Sequence, residues 1–161
     1  MILKELELKN FRNYDNLKLS FSPNINVFYG DNAEGKTNIL ESIYVLAITK
    51  SHRVNIDKHL IKENTEATKI IGKVKINEDL KKFEVLINAK GKSAKINNIT
   101  VKKISNYISN LNIVMFYPGD LDLIKGNPSV RRKFLNIEIA QLDNKYLTIL
   151  NEYNLLVKNR N

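Results

Sequence analysis

The 161-residue chain has no cysteine and no tryptophan, with three prolines, six glycines and two histidines. Without cysteine there is neither a disulfide framework nor a thiolate metal site. His52 and His59 stand seven positions apart with no carboxylate pattern around them, which argues against a metal centre. No Ser-His-Asp or paired-carboxylate arrangement stands out either. Long apolar runs are also missing. The longest near the middle, Ile113-Val114-Met115-Phe116-Tyr117, falls far below the ~20 residues that span a bilayer. The opening residues, Met1-Ile2-Leu3-Lys4-Glu5, enter charged alternation at once and do not resemble a signal peptide. The expectation is a soluble, cytoplasmic protein with no membrane partner. Acidic charge is the last scarcity: 17 Asp and Glu face 26 Lys and Arg, a net charge of +9. Such an excess favours polyanions, nucleic acid first. A merely lysine-rich surface accounts for it equally well, and no sequence-specific DNA-binding motif is visible. At 43% hydrophobic residues the chain can bury one core, so one domain is the default.

What is present centres on Gly30-Asp31-Asn32-Ala33-Glu34-Gly35-Lys36-Thr37, which fits G-x-x-x-x-G-K-[ST], the phosphate-binding P-loop. The apolar run Ile25 to Tyr29 predicts a buried strand leading into it, and Asn38 to Lys50 predicts a helix behind it. Strand, glycine-bracketed loop and helix form the context the motif requires. Consecutive N–H groups at the positive end of a helix dipole cradle phosphate oxygens. Gly30 and Gly35 permit backbone angles and a close approach that a Cβ would forbid. Lys36 is expected at the β- and γ-phosphates and the Thr37 hydroxyl on Mg²⁺. A glycine turn with an incidental Lys-Thr is the bland alternative; the flanking pattern disfavours it.

Before the loop, Ile2 to Lys9 and Leu17 to Phe21 alternate as half-buried strands. They predict an antiparallel edge joined to an α/β core. In the helix, Ile39, Leu40, Ile43, Tyr44, Leu46, Ala47 and Ile48 form a broad apolar face, leaving Glu41 and Ser42 as the wet stripe. Ser51-His52-Arg53 ends the helix, and a short turn is expected over Asp57 to Ile61. From Lys69 to Val101 the alternation predicts an antiparallel meander with a polar outer face and a hairpin turn at Asn97-Asn98. The basic loop Asn88 to Lys92 reads as a solvated hairpin tip rather than a DNA contact.

A short helix around Ile104 to Ile108 and a buried strand from Leu111 to Phe116 follow. Pro118-Gly119-Asp120 stops that strand, and Leu121 to Ile124 reads as a single helical turn. Asn127-Pro128 has the form of a helix start, Asn as N-cap and Pro in first position. Arg131-Arg132-Lys133 then crowd cations into the early turns against the macrodipole. Either an anionic partner or a lysine-rich surface explains them. Apolar spacings of three and four run from Leu142 to the last residue without an evident cap. They predict the start of a helical, coiled-coil-like arm over about residues 142–161, cut inside a longer helix.

P-loop hydrolysis usually needs a carboxylate at the tip of a buried strand. The late strand is followed by Tyr117-Pro118-Gly119 before Asp120, the wrong spacing. Asp120 therefore reads first as a loop residue and second as a neighbour of phosphate or metal. No catalytic residue is assigned within these residues.

Several segments together resemble the RecF family of bacterial recombination-repair ATPases, relatives of the SMC proteins. They are Leu8-Lys9-Asn10-Phe11-Arg12-Asn13-Tyr14, the P-loop with Asn38-Ile39-Leu40-Glu41-Ser42-Ile43, and Ser51-His52-Arg53. Phe116 to Leu123 and Lys125 to Leu135 complete the set. Gly119 departs from the pattern, since the family commonly has an acidic residue there. The resemblance implies an α/β P-loop NTPase of the ABC type: an ATPase head lobe with an antiparallel β subdomain and the start of a helical arm. It implies ATP and Mg²⁺ as cofactors, with Gly30 to Thr37, Asn38 and Arg12 around the nucleotide. Arg53, Arg131 and Arg132 become candidates for anion or DNA contacts. The implied partners are single-stranded, gapped or double-stranded DNA, RecO and RecR in loading RecA, and a second copy bound around nucleotide. The family's signature motif and carboxylate-bearing strand are not among these residues, so binding without efficient turnover is expected. Two other readings remain open, a small self-contained P-loop NTPase and a basic nucleic-acid-binding module.

Overall fold

The computed structural model describes residues 1–160, with Asn144 described by its backbone alone. The chain divides into two compact units, Met1–Ile104 and Ser105–Asn161. The first is a six-stranded antiparallel sheet with one helix on one face. Its strands are β1 (Ile2–Phe11), β2 (Tyr14–Ser20), β3 (Ala67–Ile76), β4 (Asp79–Asn88), β5 (Gly91–Ile96) and β6 (Ile99–Thr100), in the order β2-β1-β3-β4-β5-β6. Between β2 and β3 the chain carries the P-loop and helix α1 (Lys36–Ile48), then returns to pair β3 with β1.

Register follows the alternation of the sequence. Leu6, Gly72 and Phe83 lie on one cross-strand row, and Leu8, Ile70, Val85 and Ala94 on the next. All but the glycine are buried core side chains, and α1 covers this inner face with Val45, Leu46, Ala47 and Ile48. Period-two alternation puts the intervening lysines and glutamates on the opposite face. Gly72 sets how closely the helix sits: a Cβ there would lie 2.3 Å from Leu46 Cδ2. The Asn97-Asn98 turn joins β5 to β6 with φ of 50° and 67°, the left-handed pair of a tight hairpin that asparagine tolerates. The expected meander is present over β3 to β6.

Helix α1 starts two residues earlier than the apolar pattern indicates, and its expected wet stripe is not wet. Glu41 and Ser42 are fully buried. Ser42 donates back to the Ile39 carbonyl at 2.6 Å, and Glu41 is enclosed by cations. The two short apolar strands are a second correction. Residues 25–29 and 111–116 have no regular secondary structure and join no ladder among the described residues. Ile25, Val27 and Tyr29 are 81%, 75% and 91% exposed, and Val114 and Phe116 are 75% and 89% exposed. Bonds between side chain and backbone hold both segments instead. The Asn26 side chain accepts from Ser22 N and donates to Ser22 O. The Ile113 N–H goes to the buried Gln141 side chain at 2.7 Å.

The second unit consists of α2 (Ser105–Ile108), a 3-10 turn over Pro118–Leu121, α3 (Asp122–Lys125), α4 (Pro128–Leu142) and α5 (Asn144–Arg160). Pro128 opens α4 as its first residue, as expected, though the Asn127 side chain makes no capping bond. The apolar periodicity that continues past Leu142 breaks at Asp143, which is extended, so α4 and α5 are separate helices. Asn161, the last residue of the expected arm, lies outside the described residues.

Candidate nucleotide-binding site

Residues 30–37 form the loop that leads from an irregular segment into the first residues of α1. Gly35 occupies the helix N-cap position with φ 99°, and neither a capping side chain nor an acid sits in the first turn. The positive end of the helix therefore carries no neutralising side chain, the arrangement that favours an anion. Gly35 is also a point of close approach. A Cβ there would meet Tyr14 Oη at 2.6 Å and Asn13 Nδ2 at 2.7 Å. The β1–β2 turn thus packs directly against the phosphate loop. Burial, and then the Glu34 charge, push the Tyr14 phenol up, so it stays a proton donor; its Oη lies 3.4 Å from the Glu34 carbonyl.

In this state the loop is closed on itself. Lys36 Nζ donates to the carbonyl of Gly30 at 2.7 Å and also to that of Asp31. The Glu34 carboxylate accepts from the Asp31 N–H at 3.0 Å. A carboxylate oxygen and a phosphate oxygen are both anionic acceptors, so Glu34 takes an amide that the motif offers to phosphate. Asp31, Asn32, Ala33, Glu34 and Thr37 are all exposed or nearly so. No cluster of three or more His, Asp or Glu suited to a metal exists among the described residues. The one protein ligand the motif offers Mg²⁺ is the Thr37 hydroxyl. That fits a cation which keeps its waters and takes phosphate oxygens from the nucleotide.

One turn into α1 the site changes character. Glu41 has no exposed surface, yet its carboxylate is held from three sides. Arg12 grips it as a fork, Nε to Oε2 at 2.9 Å and Nη2 to Oε1 at 2.7 Å. Ser51 Oγ donates to Oε1 at 2.5 Å, and Arg53 Nη1 reaches Oε2 at 3.3 Å. Burial alone would raise the Glu41 pKa. The hydrogen bonds from Arg12 and Ser51 and the charges of Arg12 and Arg53 outweigh it, so the carboxyl sits below its usual range. Arg53 Nη1 also bonds Asn38 Oδ1 at 2.9 Å, and Asn38 Nδ2 bonds Asn13 Oδ1 at 2.8 Å. A continuous polar network therefore ties the β1–β2 turn, the first turns of α1 and the 51–53 bend together.

Arg12, expected near the phosphates, directs its guanidinium to Glu41 and to the His59 carbonyl, the latter at 2.8 Å. Its own φ is 53°, and its N–H bonds the Leu60 carbonyl at 3.0 Å. Arg53 and Asn38 join the same network as the P-loop. Arg131, Arg132 and Asp120 belong to the second unit. There Arg131 Nη1 donates to the Gly126 carbonyl at 2.9 Å, and Asp120 accepts from the Tyr117 N–H at 2.8 Å, closing its own turn. Glu41 and Ser51 are the residues that sequence reasoning missed as parts of this site. The available signal was an acid within an otherwise apolar helix, with arginines in the two flanking segments.

The antiparallel sheet, the P-loop and the helix behind it define the lobe of an ABC-type P-loop ATPase head. Residues 1–153 match the AAA ATPase domain family, and the chain belongs to that family. Among individual proteins it is similar to the DNA replication and repair protein RecF of Listeria innocua, at 49% identity over all 161 residues. The chain spans about 44% of that relative's length. A solved structure of the recombination mediator protein RecF with ATP, in the RecFOR pathway, matches with TM-score 0.94 at 35% identity, covering 99% of this chain and 43% of that one. A structure from work on ATP-driven dimerisation of SMC ATPases matches 85% of this chain and 99% of its own at 22% identity and TM-score 0.65, a likeness of fold alone.

Proposed function

We propose that this chain supplies the phosphate-binding half of an ATP site in a DNA-binding recombination-repair ATPase. The observation that carries the reading is the uncapped N-terminus of α1, which the glycine turn leads into at Gly35 and which opens with Lys36 and Thr37. Its support is the similarity to RecF proteins, one of them solved with ATP. Gly30 to Asn38 cradle the triphosphate, Lys36 neutralises its terminal phosphates, and Thr37 ligates Mg²⁺. Arg12 and Arg53 belong to the shell behind the loop. The further steps in this reading are nucleotide-dependent pairing with a second copy, DNA binding, and cooperation with RecO and RecR in loading RecA. Hydrolysis belongs to the paired, complete site, because no carboxylate-tipped strand stands beside the loop among the described residues.

The test is nucleotide binding and turnover by the wild-type chain and Lys36→Ala. Wild type is expected to bind Mg²⁺-ATP and turn it over at background rate, with binding weakened at least tenfold by Lys36→Ala, ~1.4 kcal/mol. Equal affinity in both would remove the P-loop from the account. Robust turnover lost in Lys36→Ala would remove the need for the complete site.

A further inference from the structure

The charge excess is not spread evenly. Residues 1–104 hold 19 Lys and Arg against 12 Asp and Glu, whereas residues 105–161 hold 7 against 5. Within the first unit the excess gathers on one surface. The cross-strand rows that face away from α1 are Glu5–Lys73–Lys82, Glu7–Ile71–Glu84–Lys95 and Lys9–Lys69–Leu86–Ser93, with Lys18 beside Glu7 and Lys75 at the strand end. Seven lysines therefore meet three glutamates on these rows and a fourth, Glu78, which holds Lys75 at 3.0 Å from the β3–β4 turn.

Internal pairing does not account for the arrangement. Each glutamate is already engaged: Glu5 by Lys73 at 3.0 Å and Lys18 at 4.0 Å, Glu84 by Lys69 at 3.1 Å and Lys95 at 3.8 Å, and Glu7 by Lys9 at 3.3 Å. Lysine is nonetheless set directly opposite lysine twice, Lys9 against Lys69 and Lys73 against Lys82. Like charges in direct cross-strand register destabilise a sheet. A local rule broken twice on one surface points to a function that compensates. The face is open, with lysine side chains from 35% exposed at Lys69 to 67% at Lys18.

We propose that the outer face of the sheet, through Lys9, Lys18, Lys69, Lys73, Lys82 and Lys95, is a docking surface for the phosphate backbone of duplex DNA. The inference rests on the DNA-binding reading above and says where that binding occurs. Charge complementarity selects a polyanion, since cations neutralising phosphates release condensed counterions. The absence of aromatics on these rows selects duplex over single strand, because single-strand grooves stack bases on aromatic rings. The face carries no arginine and a single exposed amide on these rows, Asn16 opposite Lys9, so its contacts go chiefly to phosphates and the binding is largely sequence-independent.

The experiment measures fluorescence anisotropy of a labelled duplex and of a labelled single strand against the full chain across a salt series. The variant Lys9→Gln/Lys18→Gln/Lys82→Gln leaves Glu5 and Glu84 each with a lysine partner. It should weaken duplex binding at least tenfold at low salt and lower the slope of log affinity against log salt by about 2.7, roughly 0.9 for each phosphate no longer neutralised. Melting temperature should rise slightly, because both Lys–Lys pairs are relieved, and ATP affinity should not move. Lys82→Glu alone, at a lysine whose ammonium bonds the Asn98 side-chain oxygen at 3.1 Å, should give the same direction with a single change. Arg131→Gln/Arg132→Gln serves as the comparison on the second unit. Wild-type duplex binding that is untouched in both lysine variants overturns the surface while leaving the DNA reading intact. A wild-type chain that binds no DNA with or without ATP overturns both. Single strand bound as tightly as duplex, with the same loss in the variants, overturns the choice of duplex. Loss of binding to an acidic protein, with DNA binding unchanged, assigns the face to another partner and overturns the proposal.

Discussion

Helix α1 serves two chemistries one turn apart. At its start the helix has no capping side chain, Thr37 is exposed, and the Lys36 ammonium is held only by the loop carbonyls of Gly30 and Asp31. At Glu41 a carboxylate without solvent is gripped by Arg12, Ser51 and Arg53. The first region is built to exchange partners and the second to keep them. The contrast shows how a loop that must open for phosphate can still be held in place: the anchoring is done behind it, in the dry turn, by ligands from the β1–β2 turn and the 51–53 bend. Asn38 is the joint, bonded to Arg53 on one side and Asn13 on the other.

The largest way to break that division is to remove the buried charge. Glu41→Ala leaves Arg12, 18% exposed in its side chain, without a counter-ion. Losing one partner of a buried pair costs about 3–5 kcal/mol. Chemical denaturation of the chain should show a loss in that range; a change below ~1 kcal/mol would mean the network is incidental. The same carboxylate has a pH signature. Its pKa in the folded chain is depressed, so it binds fewer protons folded than unfolded. Its stabilisation is complete above the unfolded carboxylate range, near ~4.3, and disappears as pH falls through the lower folded value. The stability gap between wild type and Glu41→Gln should therefore be widest near neutrality and narrow as the solution is acidified. A gap that widens on acidification contradicts the assignment.

Next in size is Gly35→Ala, which acts where the two regions meet. The new methyl would press on Tyr14 Oη and Asn13 Nδ2 and would hold alanine at φ 99°. Strain of that kind costs roughly 1–3 kcal/mol. The turn must shift, so the expected outcome is loss of ATP affinity by at least tenfold with a stability change smaller than that of Glu41→Ala. Isothermal titration beside thermal denaturation separates the two effects. Full ATP affinity in the variant would show that the close packing of the β1–β2 turn does not shape the loop.

The exposed region was far more legible in the sequence than the buried one. The P-loop, the helix behind it, the β3–β6 meander and the Asn97-Asn98 turn depend on residues adjacent in the chain or alternating along it, and short-range pattern carries that information. Glu41 reads as solvent-facing because its partners lie 29, 10 and 12 positions away at Arg12, Ser51 and Arg53. A buried acid and an exposed one look alike until the distant cations are placed. Residues 25–29 and 111–116 fail for the converse reason. Apolar alternation records that a strand can be buried, but a ladder requires a neighbouring strand, and none of the described residues pairs with them. The break between α4 and α5 at Asp143 is the same lesson for helices, since side-chain spacing continues across a backbone interruption.

The smallest predicted effect sharpens the exposed side of the comparison. Glu34 accepts the Asp31 N–H, and Lys36 folds onto the Gly30 and Asp31 carbonyls, so an arriving triphosphate must displace an anion as well as recruit a cation. Glu34→Ala removes the competing acceptor and one negative charge beside the phosphates. It leaves Lys36, Gly35 and the anchoring at Glu41 untouched. Both groups are solvated, so the gain is screened and modest. ATP should bind about two- to fivefold tighter, under ~1 kcal/mol, with the larger gain at low ionic strength. Glu34→Gln, which keeps the length and an acceptor oxygen but drops the charge, should give part of that gain. If both variants bind ATP more weakly than wild type, Glu34 is a support of the loop rather than a competitor for its amides. The line between exchangeable and anchored parts of the site would then move from the start of α1 into the loop itself.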